Sequence, residues 1–126
     1  MIIIDYKNMT KKAAIKLVNE ALNLKLNSKS TIFILINADN KWRSKFPQEK
    51  RHQKLFILLN NSHSKKLHIF EIPANHFVYN LLYNKPFNEN IFWILFNVED
   101  DEFIEYFTSL NFKKFLSWSI NYDKIA

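Results

Sequence analysis

Apolar residues recur along this chain with two different periods. Between residues 9 and 25, Ala14, Leu17, Val18, Ala21 and Leu22 follow helical spacing, and Asn8 or Thr10 stands where a cap is needed. The pattern predicts a helix over 9–25 whose lysines, Lys11, Lys12, Lys16 and Lys25, fall on the solvated side. Elsewhere the apolar runs are short, β-branched and aromatic. Met1 to Tyr6 reads as a short strand, and Thr31 to Asn37 as a strand covered on both faces and central in its sheet. Lys54–Asn60 and Lys66–Ile72 read as a hairpin joined through Asn61-Ser62-His63-Ser64-Lys65.

After Pro73, Asn75 is placed to cap a short helix carrying Phe77, Val78, Leu81 and Leu82. Ile91 to Phe96 reads as a further strand buried on both faces. The acids Asp100, Asp101 and Glu102, followed by Phe103, Ile104 and Phe107 and then Lys113 and Lys114, carry the charge order of a third helix. Leu116, Trp118, Ile120 and Tyr122 alternate with polar residues, the period of an outer strand. The expected order β-α-β-β-β-α-β-α-β has too much hairpin character for a doubly wound sheet. The expectation is an α+β fold, with a mixed or mainly antiparallel sheet of about five to six strands and three helices. The 126 residues show no linker, repeat or low-complexity segment, so 1–126 is expected to form a single compact domain.

Composition narrows the chemistry. The chain has no cysteine and no glycine. No thiolate nucleophile or disulfide is therefore available, and the glycine-dependent phosphate loops and nucleophile elbows are missing. Turns that need a left-handed residue must draw on the 16 asparagines. No apolar run approaches the ~18 residues of a membrane span, and Met1-Ile2-Ile3-Ile4-Asp5 is too short and too soon acidic for a signal peptide. A cytoplasmic location without a membrane is expected.

The net charge of +6 is partly a matter of composition, because lysine outnumbers arginine 16 to 2 and Lys, Asn, Ile and Phe all have AT-rich codons. Position is more informative. From Asn40 to Lys66 the chain carries eight basic residues and one acid, including both arginines, whereas Glu89 to Glu105 holds six acids and no base. Such a molecule is expected to be electrically two-sided.

The basic stretch, read as a loop, offers cations for phosphates in Lys41, Arg43, Lys45, Lys50, Arg51 and Lys54, and a stacking surface in Trp42. It equally fits a solvated connection whose Trp42 and Phe46 fold back onto the core. The leading expectation is a small nucleic-acid-binding domain for DNA or RNA. The hairpin, basic loop and tryptophans are loosely similar to the plan of PUA-like and B3-like recognition modules, which would place such a domain in a defence, restriction or mobile-element system.

The alternative, drawn from charge and aromatic content, is a protein-partner module such as an inhibitor, an immunity protein or a complex subunit. A minor alternative is a metal-dependent nuclease built on Asp39-Asn40-Lys41 with Asp5 or Glu20 as second acid. His52, His63, His68 and His76 show no metal-ligand spacing and read as exposed or locally bonded. No cofactor, metal or catalytic residue is assigned. Trp93 and Trp118 read as core.

Overall fold

The computed structural model describes residues 9–77 and 91–122. Within them the chain forms one α-helix, α1 (Lys11–Leu22), and six strands: β1 (Thr31–Leu35), β2 (Lys41–Pro47), β3 (Leu55–Asn61), β4 (Lys66–Ile72), β5 (Ile91–Asn97) and β6 (Leu116–Asn121). Three short 3-10 turns, Ser28–Ser30, Gln48–His52 and Lys113–Phe115, accompany them. The single sheet with three helices expected from the sequence is not what forms. The strands divide into a mixed four-stranded sheet, ordered β1-β3-β4-β6, and a separate antiparallel ribbon of β2 and β5.

Strand alternation explains the layering. On one face of the larger sheet, Ile32, Ile34, Leu55, Ile57, Leu59, Phe70 and Ile72 pack against Trp42, Phe46, Ile94 and Phe96 from the inner face of the ribbon. On the other face, Leu58, Leu67 and Ile69 meet Ala14 and Val18 of α1. Residues one apart on β3 thus serve two different cores, as a period of two requires. Helix, sheet and ribbon form three layers.

Helix α1 starts where Thr10 accepts a hydrogen bond from the Ala13 N–H (3.1 Å) and stops where Asn23 turns left-handed (φ 54°). Left-handed asparagine terminates it before the predicted residue 25, and the Asn19 side chain then holds both backbone groups of Leu26. Asn40 and Asn75 also adopt positive φ. Half of the six positive-φ residues described are therefore asparagine, as expected for a chain without glycine. The β3–β4 hairpin forms with Asn61 opposite Lys66, and among the described strands β6 lies outermost beside β4.

Two further expectations are corrected. Strand β1 is covered on both faces, but among the described strands it is at the sheet edge, paired in parallel with β3 alone. The predicted third helix is instead an irregular segment, because its backbone donors are taken by carboxylates. Asp100 accepts from the Glu102 and Ile104 N–H groups. Glu105 accepts from Leu95, Phe107 and Thr108. Phe103 (φ 54°) and Ser109 (φ 59°) are left-handed, which interrupts any helix. The Phe103 ring offsets its backbone strain by packing against Phe70 (5.0 Å between centroids), His68 (5.2 Å) and Trp42 (6.2 Å). The predicted first strand, and Val78, Leu81 and Leu82 of the predicted second helix, lie outside the described residues.

Candidate nucleic-acid interface

The basic stretch is not a loop. Residues 41–47 form β2, and its alternation sorts the predicted site residues between two faces. Trp42 points inward and is 1% exposed. Its indole N–H donates to the Asn60 carbonyl (3.0 Å), and the Asn60 side-chain oxygen in turn accepts from the Tyr122 hydroxyl (2.8 Å). Trp42 is thus a core residue that joins ribbon to sheet, and its ring is not available for stacking. Phe46 is buried beside Phe77 (5.4 Å).

Lys41, Arg43 and Lys45 share the outer face, opposite Asn97, Leu95 and Trp93 in turn. The Arg43 guanidinium carbon lies 4.5 Å from the centre of the Trp93 ring, and the Lys45 ammonium 5.6 Å from it. A two-stranded ribbon packed on one side exposes its other face, and long basic stems shield the apolar residues there while their heads remain in water. Trp93 is accordingly half-buried. It was expected in the core because Ile91 to Phe96 is an unbroken apolar run. Only the cross-strand register, which sets Lys45 opposite Trp93, reveals its other role. Trp118 also departs from the core reading, being 39% exposed on β6.

The remaining cations lie apart from this pair. Lys50 and the partly buried Arg51 belong to the 3-10 turn after β2. Lys50 is near enough to Lys11 to add to the lowering of its pKa, which burial causes first. Lys54 forms an ion pair with Glu71 and lies over the Phe56 ring. The candidate surface common to sequence and structure is therefore Lys41, Arg43 and Lys45, with Trp93 added.

The acidic segment is not on an opposite side of the molecule. It leaves β5 at the end of the ribbon where β2 begins, with the Val98 N–H donating to the Asn40 carbonyl (3.4 Å). Asp39, Glu99, Asp101 and Glu102 are exposed around that end, so charge changes sign along the ribbon. Asp39 itself is a turn residue. The Asn37 side chain accepts from the N–H groups of Asp39 and Lys41, an Asx-type turn. Glu20 is on α1, in the opposite layer, and Asp5 lies outside the described residues. Among the described residues no three histidines or acids converge as a metal-binding group.

His52 and His63 are exposed. The other two histidines are embedded among aromatic rings, which the sequence did not indicate. His68 meets Phe103 and Trp42 edge-on and bonds the Ser119 hydroxyl through Nδ1 (2.8 Å). Burial first, and the Lys66 charge second, lower its pKa to about 4. His76 packs against Phe77, Phe112 and Phe115, and burial followed by Lys114 lowers it to about 4 as well.

Both rings are held neutral in the folded state, whereas the unfolded chain protonates them near the ordinary 6.5. Their contribution is therefore fully present above about pH 6.5 and declines as pH falls towards 4. The loss is about 1–2 kcal/mol per ring, allowing for screening by solvent near the partly buried His68 and at the margin of His76. Melting temperature should fall across that window, and the fall should flatten in a variant carrying His68→Gln and His76→Gln. A constant wild-type melting temperature from pH 7 to 4.5 would show that the folded protein accepts both protons freely.

Among the described residues no helix is long and apolar enough to cross a membrane. Comparison with protein families, with curated proteins and with solved structures yields no match.

Proposed function

We propose that this chain is a cytoplasmic nucleic-acid-binding domain whose contact surface is the outer face of the β2–β5 ribbon. One observation carries the reading: two cations, Arg43 and Lys45, are gathered over a half-exposed tryptophan on a strand pair whose other face is locked into the core. Cations beside a flat aromatic ring on a rigid sheet meet both demands of a nucleic acid, neutralised phosphate and stacked bases. Lys41 extends the cationic row along β2. Lys50 and Arg51, in the turn that follows, supply longer-range attraction.

The test is fluorescence anisotropy with labelled DNA and RNA, single-stranded and duplex, across a salt series. Binding should weaken with salt. Arg43→Glu combined with Lys45→Glu should lower affinity by about 10- to 100-fold or more and reduce the salt slope by about 2. Lys54→Glu, at a cation already engaged by Glu71, should change affinity far less. Binding that survives the double reversal would remove this surface from consideration. The protein-partner reading has its own support in Trp118, exposed on the outermost described strand. It would take the lead if no oligonucleotide bound at low salt.

A further inference from the structure

Resting on that reading of the ribbon, we infer that the ligand is a short single strand whose phosphates follow β2 and whose bases stack on Trp93 and Tyr106. The chemistry of the surface changes from one edge to the other. Lys41, Arg43 and Lys45 line β2, and Trp93 and Leu95 follow on β5. Beyond β5 the Tyr106 N–H donates to the Leu95 carbonyl (2.8 Å), which sets the Tyr106 backbone against the edge of β5 next to Leu95, the residue opposite Arg43. Tyr106 is 70% exposed, the most open large apolar side chain among those described, and Ile104 beside it is 42% exposed. A row of cations is thus flanked on one side by a strip of aromatic and aliphatic surface.

A duplex does not match this arrangement. It presents phosphates on both strands and keeps its base faces stacked inside, so it would set charged backbone against Trp93, Ile104 and Tyr106. A single strand separates the two chemistries in the way the surface does, with its backbone over one edge and its unstacked bases over the other. The Arg43 guanidinium, lying flat enough over Trp93 to reach 4.5 Å from the ring centre, adds a second planar surface for a base.

Two features make the platform specific. The Tyr106 backbone is held in place, because the neighbouring Glu105 is buried and its carboxylate accepts from the Leu95 N–H of β5 (2.9 Å). Little is then lost in ordering the ring when a base arrives. The path is also short. Lys41 to Lys45 spans four residue steps, about 13 Å. At the Lys41 end a strand meets the exposed acids Asp39, Glu99 and Asp101, which repel phosphate. The footprint is a few nucleotides.

The test uses labelled oligo-dT and oligo-U of about 12 nucleotides beside duplexes of the same length. Tyr106→Ala, at an exposed ring whose loss leaves the core intact, should lower single-strand affinity about 5- to 100-fold and leave duplex affinity unchanged. Trp93→Ala should act in the same direction, and Tyr106→Phe should retain binding. Duplex affinity equal to or above that for single strands would overturn the inference, as would full single-strand binding by Tyr106→Ala. In either case binding that still vanishes with Arg43→Glu and Lys45→Glu leaves the ribbon reading standing. If no oligonucleotide binds, both fall together.

Discussion

Glu105→Ala is expected to destabilise the protein by about 3–5 kcal/mol, enough to leave a marginally stable domain largely unfolded at physiological temperature. The residue has no exposed surface. Its carboxylate accepts from the Leu95 N–H (2.9 Å), the Phe107 N–H (3.0 Å) and the Thr108 N–H (2.8 Å). Alanine removes both acceptor oxygens, and with them all three hydrogen bonds, and leaves backbone donors without that acceptor in a part-buried setting, each costing about 1–3 kcal/mol.

Glu105→Gln preserves the volume but turns one carboxylate oxygen into an amide that faces N–H donors, so a smaller loss of about 1–3 kcal/mol is expected. Urea unfolding followed by circular dichroism measures both. A loss below about 0.5 kcal/mol for alanine would mean that water replaces the carboxylate and that the 104–110 segment is not fastened through it. Because the same side chain anchors the segment that carries Tyr106, any folded Glu105→Gln protein should also bind single strands more weakly.

The second large effect is at Trp42. Trp42→Ala should cost about 3–5 kcal/mol, the range for removing a buried aromatic ring. The indole fills the space between ribbon and sheet, edge-on to His68 (6.1 Å) and beside Phe103, and its N–H satisfies the Asn60 carbonyl. Trp42→Phe keeps most of the ring but removes that hydrogen bond, and a loss of about 1–2 kcal/mol is expected. Oligonucleotide affinity of folded Trp42→Phe should match the wild type within about twofold, since its stacking surface faces the core. Reduced affinity at full stability would return Trp42 to the binding surface. The comparison with Trp93→Ala therefore separates the tryptophan named by the sequence from the one exposed by the fold.

These two residues show where legibility in the sequence ended. The period of Ala14, Val18 and Leu22 was sufficient for α1, because a helix reads its own sequence through contacts three and four residues apart. Two strand-like runs and the five-residue polar connection from Asn61 to Lys65 were likewise sufficient for the β3–β4 hairpin, although Asn61 itself joins β3. The acidic run before Phe103 had the same local appearance as a helix start, yet its outcome depended on the edge of β5 that faces away from β2, a partner that no local pattern contains. For the same reason the basic stretch was legible as a cluster of cations but not as a strand. Its pairing with β5 joins residues some fifty positions apart in sequence.

Composition and local pattern account for a chain without cysteine or glycine, turns that rely on asparagine, one helix and a hairpin, and a concentration of positive charge between Asn40 and Lys66. Tertiary structure decided the rest. It split the strands into two sheets, sent Trp42 inward and Arg43 outward, set Trp93 beside the cations and bonded the Tyr106 backbone to β5. The physical reason is that helix and hairpin contacts are local. Which face of a strand meets water depends on register with a distant strand, and a shift of one residue reverses every side chain.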